Sequence, residues 1–224
     1  MSKNISILFL GKADDPYCAA GLKFCSQNSD QVTACLGAKW GIPLPEEAKN
    51  WQGDLIISYL SRWVVPKYLL ERAQLAAINF HPASPDYPGI GCNNFALYDE
   101  SDEYGATCHH MAPKVDTGGI VKVSRFSVFP SDSVESVLER TYTYQLALFY
   151  DVLSDIFREE PLPVSDEKWT RKPYTRTEFD ELMTIRPDMS AEEIARRVRA
   201  TDFGDWQPSI KLHGFTFKHH PNEN

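Results

Sequence analysis

The sequence predicts an α/β protein with a Rossmann-like, mostly parallel sheet and a small C-terminal α+β extension. Over the first half of the chain, short apolar runs typical of buried parallel strands alternate with helical stretches. After residue 160 this alternation is replaced by a charged helix and a closing hairpin. The 224 residues, 42% of them hydrophobic, are enough to bury a sizeable core.

The first half of the chain shows a β-α-β-α-β pattern. The largely apolar run 5–10 predicts the first strand, and a helical stripe of Ala19, Leu22, Phe24 and Cys25 follows it. Further strands are predicted at 31–36, 54–59 and 75–80. The stretch 66–73 begins with a proline and predicts a short helix before the last of these strands.

The second half begins with two extended stretches, 104–111 and 119–129. The connection between them is too short for a crossover helix, so the two stretches should pair as a hairpin. A long amphipathic helix is predicted from Ser133, as its cap, to Phe157. Prolines 161 and 163 then divide a main domain, residues 1–160, from a C-terminal subdomain, residues 165–224, with a helix at 191–199 and a hairpin at 210–218.

Charge and cysteine content exclude several classes of protein. A net charge of −8 would repel the phosphate backbone of a long nucleic acid, so we expect no nucleic-acid partner. Five cysteines without a C-x-x-C pair indicate free thiols and a cytoplasmic location. The apolar opening run is too short for a membrane span. Cys108 and His110 alternate onto one strand face but lack a second ligand pair, so no metal is expected.

Candidate catalytic residues lie at the end of the predicted strand 75–80. Asn79 and His81 are two residues apart, so they can face the same side where open α/β sheets place their ligands. An amide beside an imidazole combines an oxyanion donor with a proton acceptor. Asp116, in a tight turn between the two extended stretches, could orient His81 and stabilise its charged form.

Each of these residues also has a structural interpretation. A histidine at a strand end is often a satisfied structural residue, an asparagine there often caps a turn, and Asp-Thr-Gly-Gly is an ordinary turn sequence. The joint occurrence of all three favours a functional site.

The segments NFHPASPDYPG, YGATCHH and DTGGIV resemble, in order and spacing, the motifs of the folate-dependent formyltransferase family. The resemblance implies that Asn79, His81 and Asp116 form the catalytic trio and that His109 supports it. It also implies the formyltransferase fold and N10-formyltetrahydrofolate as donor. The folate contacts that it implies are Arg62, Trp63, Val64, Val65, Val115 and Asp116.

The C-terminal stretches 170–185 and 192–203 resemble sugar-nucleotide N-formyltransferases, which act on dTDP-, GDP- or UDP-linked amino sugars. This implies an acceptor amine on such a sugar and a role in O-antigen or other surface polysaccharide biosynthesis. The residues predicted to bind the acceptor are Tyr87, Gly91, Asn94, Trp169, Lys172 and Tyr174. Two alternatives stay open: a glycinamide ribonucleotide or other small-amine transformylase, and a non-catalytic folate- or nucleotide-binding relative.

The cluster Arg196, Arg197 and Arg199 has two interpretations. Glu192 and Glu193 lie one turn earlier, so the arginines either form a solvated, ion-paired helix face or contact the acceptor's diphosphate. The partners expected for the whole protein are small molecules, with a second copy of the chain as a possible homodimer partner and no membrane association.

Overall fold

A computed structural model describes residues 5–204 and 206–220, and a six-stranded sheet forms the centre of this part of the chain. Its strands are β1 (Ile7–Lys12), β2 (Val32–Gly37), β3 (Gly53–Tyr59), β4 (Ala73–His81), β5 (Glu103–His110) and β6 (Ile120–Ser127). The order is β2-β1-β3-β4-β5-β6, in which β1 to β4 are parallel and β5 and β6 are antiparallel to their neighbours. The predicted mixed α/β architecture with a mostly parallel sheet is confirmed.

Helices cover both faces of this sheet, which explains why the central strands β1 and β3 are almost continuously buried. They are α1 (Pro16–Asn28), α2 (Glu46–Asn50), α3 (Lys67–Leu70), α4 (Cys92–Tyr98) and α5 (Val134–Phe157). The predicted long helix is α5, and Ser133 caps it in a reciprocal pair of hydrogen bonds with Ser136. The predicted hairpin of two extended stretches is the β5–β6 pair.

The core on one face of the sheet is aromatic. The ring of Phe149 on α5 is fully buried, with its centroid 4.9 Å from that of Phe80, 5.2 Å from Tyr59 and 6.3 Å from Phe9. These neighbours come from β4, β3 and β1, so one side chain of α5 ties three strands together. Their close packing holds the strands in position against α5, and the candidate residues lie at the ends of these strands.

Sequence periodicity misses or misplaces the shortest helices. The helix predicted at 66–73 is reduced to α3, with Pro66 as its cap, because β4 already begins at Ala73. Helices α2 and α4 have five and seven residues, too few for a 3.6-residue repeat to show.

The C-terminal extension is a small α+β unit, as predicted. It consists of α6 (Arg176–Leu182), β7 (Thr184–Ile185), α7 (Ala191–Thr201), β8 (Ser209–Leu212) and β9 (Phe215–Lys218), with the sheet order β7-β8-β9. Tyr174, Phe179 and Leu182 share a buried cluster with Phe95 of α4 and Tyr104 of β5. The extension therefore packs on the main sheet, while a domain division between residues 160 and 165 stays a prediction.

The five cysteines are free and buried, in agreement with the expectation of free thiols. Across residues 5–204 and 206–220 we find no helix with both the length and the apolar character needed to cross a bilayer.

Replacing Phe149 by Ala should lower the free energy of unfolding by about 3–5 kcal/mol, because it removes the ring shared by three strands and leaves a cavity. Denaturant unfolding followed by circular dichroism measures this loss. Val164→Ala is the control, since Val164 is 89% exposed and should change stability by less than about 0.5 kcal/mol. A loss for Phe149→Ala as small as that of the control would contradict the central role of this ring.

Candidate active site

Antiparallel pairing of β4 with β5 brings three candidate side chains together. Asn79 is opposite His109 and His81 is opposite Thr107, so Asn79, His81 and His109 share one end of the sheet. The Asn79 Nδ2 atom lies 3.0 Å from His109 Nε2. Gln145 of α5 supports the end of β4, because its fully buried side-chain amide donates to the Phe80 carbonyl at 2.6 Å.

Asp116 is buried between the two imidazoles. Its carboxylate oxygens lie 3.5 Å from His81 Nδ1 and 3.4 Å from His109 Nε2, and it accepts the Gly89 N–H at 2.9 Å. Asp116 itself has φ +49°, a left-handed conformation that is unfavourable for residues with a side chain. The turn also requires Gly118, because a Cβ there would lie 1.7 Å from the His110 carbonyl oxygen.

The loop after His81 is fixed by side chains of β5. Thr107 donates to the Ala83 carbonyl at 2.6 Å and Tyr104 donates to the Pro82 carbonyl at 3.0 Å. His81 Nε2 lies 3.2 Å from the Tyr87 carbonyl oxygen, which can only accept, so Nε2 carries the proton of the neutral ring. The free Nδ1 of neutral His81 then faces the Asp116 side of the site.

Burial and charge determine the ionisation of the pair. Burial lowers the pKa of His81 below its usual value, and the negative charge of Asp116 opposes that shift. For Asp116, burial by itself would raise the pKa, but the positive charge that His81 carries in acid and hydrogen bonds from His109 and the Gly89 N–H lower it to about 2. At neutral pH the site therefore holds a neutral imidazole beside an ionised carboxylate, which can accept a proton and stabilise the resulting cation.

A cavity of about 300 Å³ opens next to these residues. All of the residues predicted to contact folate line it, together with Asn79, His81 and His109. The Nε atom of Arg62 is buried there without a hydrogen-bond partner among the described residues. An unpaired donor on an otherwise largely apolar wall fits a ligand that carries acceptor atoms.

Other cavity-lining residues were not identified from the sequence. They include Lys12, Trp40, Ser58, Cys92, Met111 and Tyr142. Lys12 ends β1 and Ser58 lies near the end of β3, so the rule that ligands bind at the carboxyl ends of parallel strands could have found both. Trp40 and Tyr142 come from a loop and from the middle of α5, and no sequence pattern places either residue beside the cavity.

The residues predicted to bind the acceptor surround the site without lining its cavity in the described part of the chain. Tyr174 is buried and its ring stacks on that of Phe95, with centroids 3.6 Å apart. The ring of Tyr87 is nearly parallel to that of Tyr174, with centroids 6.4 Å apart. Asn94 donates to the Ala200 carbonyl at 2.6 Å. Gly91 caps α4, Lys172 is exposed, and Trp169 donates to the Gly118 carbonyl. Their contact with an acceptor stays a prediction.

The contacts of the arginine cluster favour a structural role. Arg197 is buried and bonded to Glu193 and to the carbonyls of Glu181, Leu182 and Thr184. Arg196 pairs with Glu193, and Arg199 donates to the carbonyls of Phe129 and Asp132. These guanidinium groups bond to the chain's own carboxylates and carbonyls, and a contact with the acceptor's diphosphate stays a prediction.

An amide, two imidazoles and an ionised carboxylate at the end of a parallel strand define a site for proton transfer on a small substrate. Residues 44–153, which include the site, match the sequence model of the formyl transferase family, in agreement with the resemblance of the sequence motifs.

Two curated relatives and one solved structure illustrate this likeness. The methionyl-tRNA formyltransferase of Latilactobacillus sakei is 28% identical over 151 residues, which are 66% of this chain and 47% of that protein. The GDP-perosamine N-formyltransferase of Brucella melitensis is 26% identical over 166 residues, 74% of this chain and 63% of that protein. The chain thus spans about half to two thirds of the length of these relatives.

The solved structure is an N-formyltransferase from Helicobacter canadensis in complex with folinic acid and dTDP-3-aminofucose. It superposes with a TM-score of 0.72 over 94% of this chain and 85% of its own, at 18% identity. This likeness shows that the two proteins share a fold.

Asp116→Asn should lower the pKa of His81 further, because the carboxylate charge that favours the imidazolium is removed. Histidine NMR signals followed through a pH titration of the ligand-free protein measure this change. Asp151→Asn is the control, since Asp151 is an exposed carboxylate paired with Lys122 and should leave the His81 titration unchanged. A His81 pKa that rises or stays constant in Asp116→Asn would contradict the electrostatic coupling.

Proposed function

We propose that this chain is an N-formyltransferase that moves a formyl group from N10-formyltetrahydrofolate to the primary amine of a nucleotide-linked amino sugar. The observation that carries the proposal is the position of Asn79, His81 and the ionised Asp116 at the wall of a cavity that the predicted folate contacts also line. The relatives add support, since they include a GDP-perosamine N-formyltransferase and an N-formyltransferase in complex with folinic acid and dTDP-3-aminofucose.

The residues that line the cavity would hold the folate. Arg62, with its unpaired Nε, would bond an acceptor atom of the ligand, and the backbone from Trp63 to Val65 would lie along its ring. The folate supplies an activated formyl group when it is bound. No metal is part of this proposal.

The chemistry assigned to the chain is proton transfer and charge stabilisation. The acceptor amine attacks the formyl carbon, a new C–N bond forms, and the bond between that carbon and N10 breaks. Asn79 donates a hydrogen bond to the oxygen on which negative charge develops. His81 takes the proton that the amine loses and returns it to the departing N10, while Asp116 stabilises the intermediate imidazolium.

A nucleotide-linked sugar is favoured over initiator tRNA as acceptor because the chain carries a net charge of −8, which opposes binding of a long polyanion. The proposed product would enter surface polysaccharide synthesis in the cytoplasm.

The test is incubation of the protein with a formyl donor and a panel of dTDP-, GDP- and UDP-linked amino sugars, with glycinamide ribonucleotide included. We expect one sugar nucleotide to gain the mass of one formyl group. His81→Ala should reduce this transfer by about 10²- to 10⁴-fold, because it removes the proton acceptor. His220→Ala is the matched control, since His220 is exposed and away from the cavity.

Formylation of glycinamide ribonucleotide alone would replace the sugar assignment with that alternative. Full transfer by folded His81→Ala would contradict the proposed mechanism. Folate binding without transfer to any member of the panel would favour a non-catalytic binding protein.

Asn79→Ala should lower kcat by about 10²-fold or more and leave both KM values nearly unchanged, because an oxyanion donor acts mainly in the transition state. Steady-state kinetics with the acceptor found in the panel measure this. A higher KM with an unchanged kcat would instead make Asn79 a binding residue.

A further inference from the structure

The segment between α5 and α6 returns to the site as an extended strap, defined here as residues 165–174. Its backbone bonds to both sides of the site. The Ser165 N–H donates to the carbonyl of Ile120 in β6 at 3.1 Å, and the Thr170 N–H donates to the carbonyl of Pro85 at 3.3 Å. At its far end the backbone N–H of Tyr174 donates to the Pro88 carbonyl at 2.8 Å, and the Tyr174 carbonyl accepts the Ile90 N–H at 3.1 Å. The strap therefore connects the β6 side to the loop after His81.

A side-chain ion pair strengthens this connection. Arg125 of β6 bonds Glu167 of the strap through one guanidinium nitrogen and Asp86 of the loop, at 3.0 Å, through the other. The guanidinium is partly shielded from solvent, so it holds the two segments in one arrangement.

Trp169 lies in the middle of the strap and contacts the site directly. Its indole N–H donates to the Gly118 carbonyl at 2.8 Å, two residues beyond Asp116. Its ring meets that of His109 edge to face, with centroids 5.0 Å apart, and that of His81 at 5.9 Å. The indole therefore lies behind both imidazoles and against the turn that carries the carboxylate.

That turn needs an external constraint. Asp116 has φ +49°, a sparsely populated backbone conformation for a residue with a side chain. A turn that contains such a residue relaxes when its surroundings stop determining its shape. The indole hydrogen bond connects this turn to a distant segment of the chain, because Trp169 lies 51 residues from Gly118.

We propose that Trp169 is a positioning residue, which sets the Asp116 carboxylate between His81 and His109 through its hydrogen bond to Gly118. The strap then takes part in the chemistry through the position of the carboxylate. Only the kinetic part of this inference rests on the proposed function, since the geometry it describes belongs to the ligand-free protein.

The test uses Trp169→Phe, which keeps an aromatic ring beside the imidazoles and removes the N–H. In the ligand-free variant the His81 pKa, measured by NMR, should fall in the same direction as in Asp116→Asn, because the carboxylate moves away. Trp206→Phe is the matched control, since Trp206 belongs to the same part of the chain, is 48% exposed and packs on Phe179. It should leave the His81 titration unchanged.

The kinetic arm compares Trp169→Phe with Asp116→Asn and with the double variant. Trp169→Phe should lower kcat by about tenfold with both KM values unchanged, since small misplacement of a catalytic group costs rate. In the Asp116→Asn background the same change should have little further effect, because both act on one carboxylate.

Three outcomes would overturn the inference: an unchanged His81 titration in Trp169→Phe, a full additive loss of kcat in the double variant, or a raised KM for the acceptor with unchanged kcat. The last would make Trp169 a binding residue. Should the variant not fold, hydrogen exchange of the wild-type indoles decides, since slow exchange at Trp169 is required and fast exchange contradicts the hydrogen bond. Absence of formyl transfer in the wild type would refute the proposed function and leave the NMR arm valid.

Discussion

The buried carboxylate of Asp116 is the group on which the arrangement of the site depends. An ionised carboxylate away from water is stable only when donors and positive charge surround it. Here the Gly89 N–H donates to it and two imidazoles, which become cationic when they take up a proton, lie beside it, and each comes from a different segment of the chain. Interactions with this one carboxylate therefore hold together the loop after β4, the end of β5 and the turn before β6.

This dependence explains why buried side chains bond so many of the surrounding backbone carbonyls. The loop after His81 has its carbonyls bonded by Thr107 and Tyr104, and the end of β4 is bonded by Gln145. These side chains are buried and carry no proposed chemical role. Their contribution is to keep the carboxylate's partners within bonding distance while the cavity beside them stays open to a ligand.

The sequence was sufficient for the sheet and for the catalytic candidates, for a physical reason. Strands buried on both faces must be apolar, and residues two apart at a strand end must share a face, so Asn79 and His81 could be placed together before any contact was known. Asp116 was identified in the turn between two extended stretches as a partner of His81, and a motif that resembles a known family supported it. Its left-handed backbone and its contact with His109 were not foreseen.

What the sequence could not supply was contact between distant segments. Nothing in the residues around Trp169 indicates that its indole reaches Gly118, and a buried aromatic such as Tyr174 has the same local pattern whether it packs in a core or stacks on a base. The charge pattern was similarly ambiguous, since the arginines of a helix can bind phosphate or bond to carboxylates and carbonyls of their own chain. Only tertiary structure shows which contacts these side chains make within the chain.

The pairing of Gly89 with Tyr174 has a consequence for the order in which the molecule can form. A Cβ at Gly89 would lie 2.4 Å from the Tyr174 carbonyl oxygen, so the two backbones touch, and the same Gly89 supplies an N–H to Asp116. During synthesis, the strands that carry the catalytic candidates leave the ribosome well before residue 174. A nascent chain can thus assemble the parallel strands early, but the final shape of its acid-base centre must wait for a segment made more than fifty residues later.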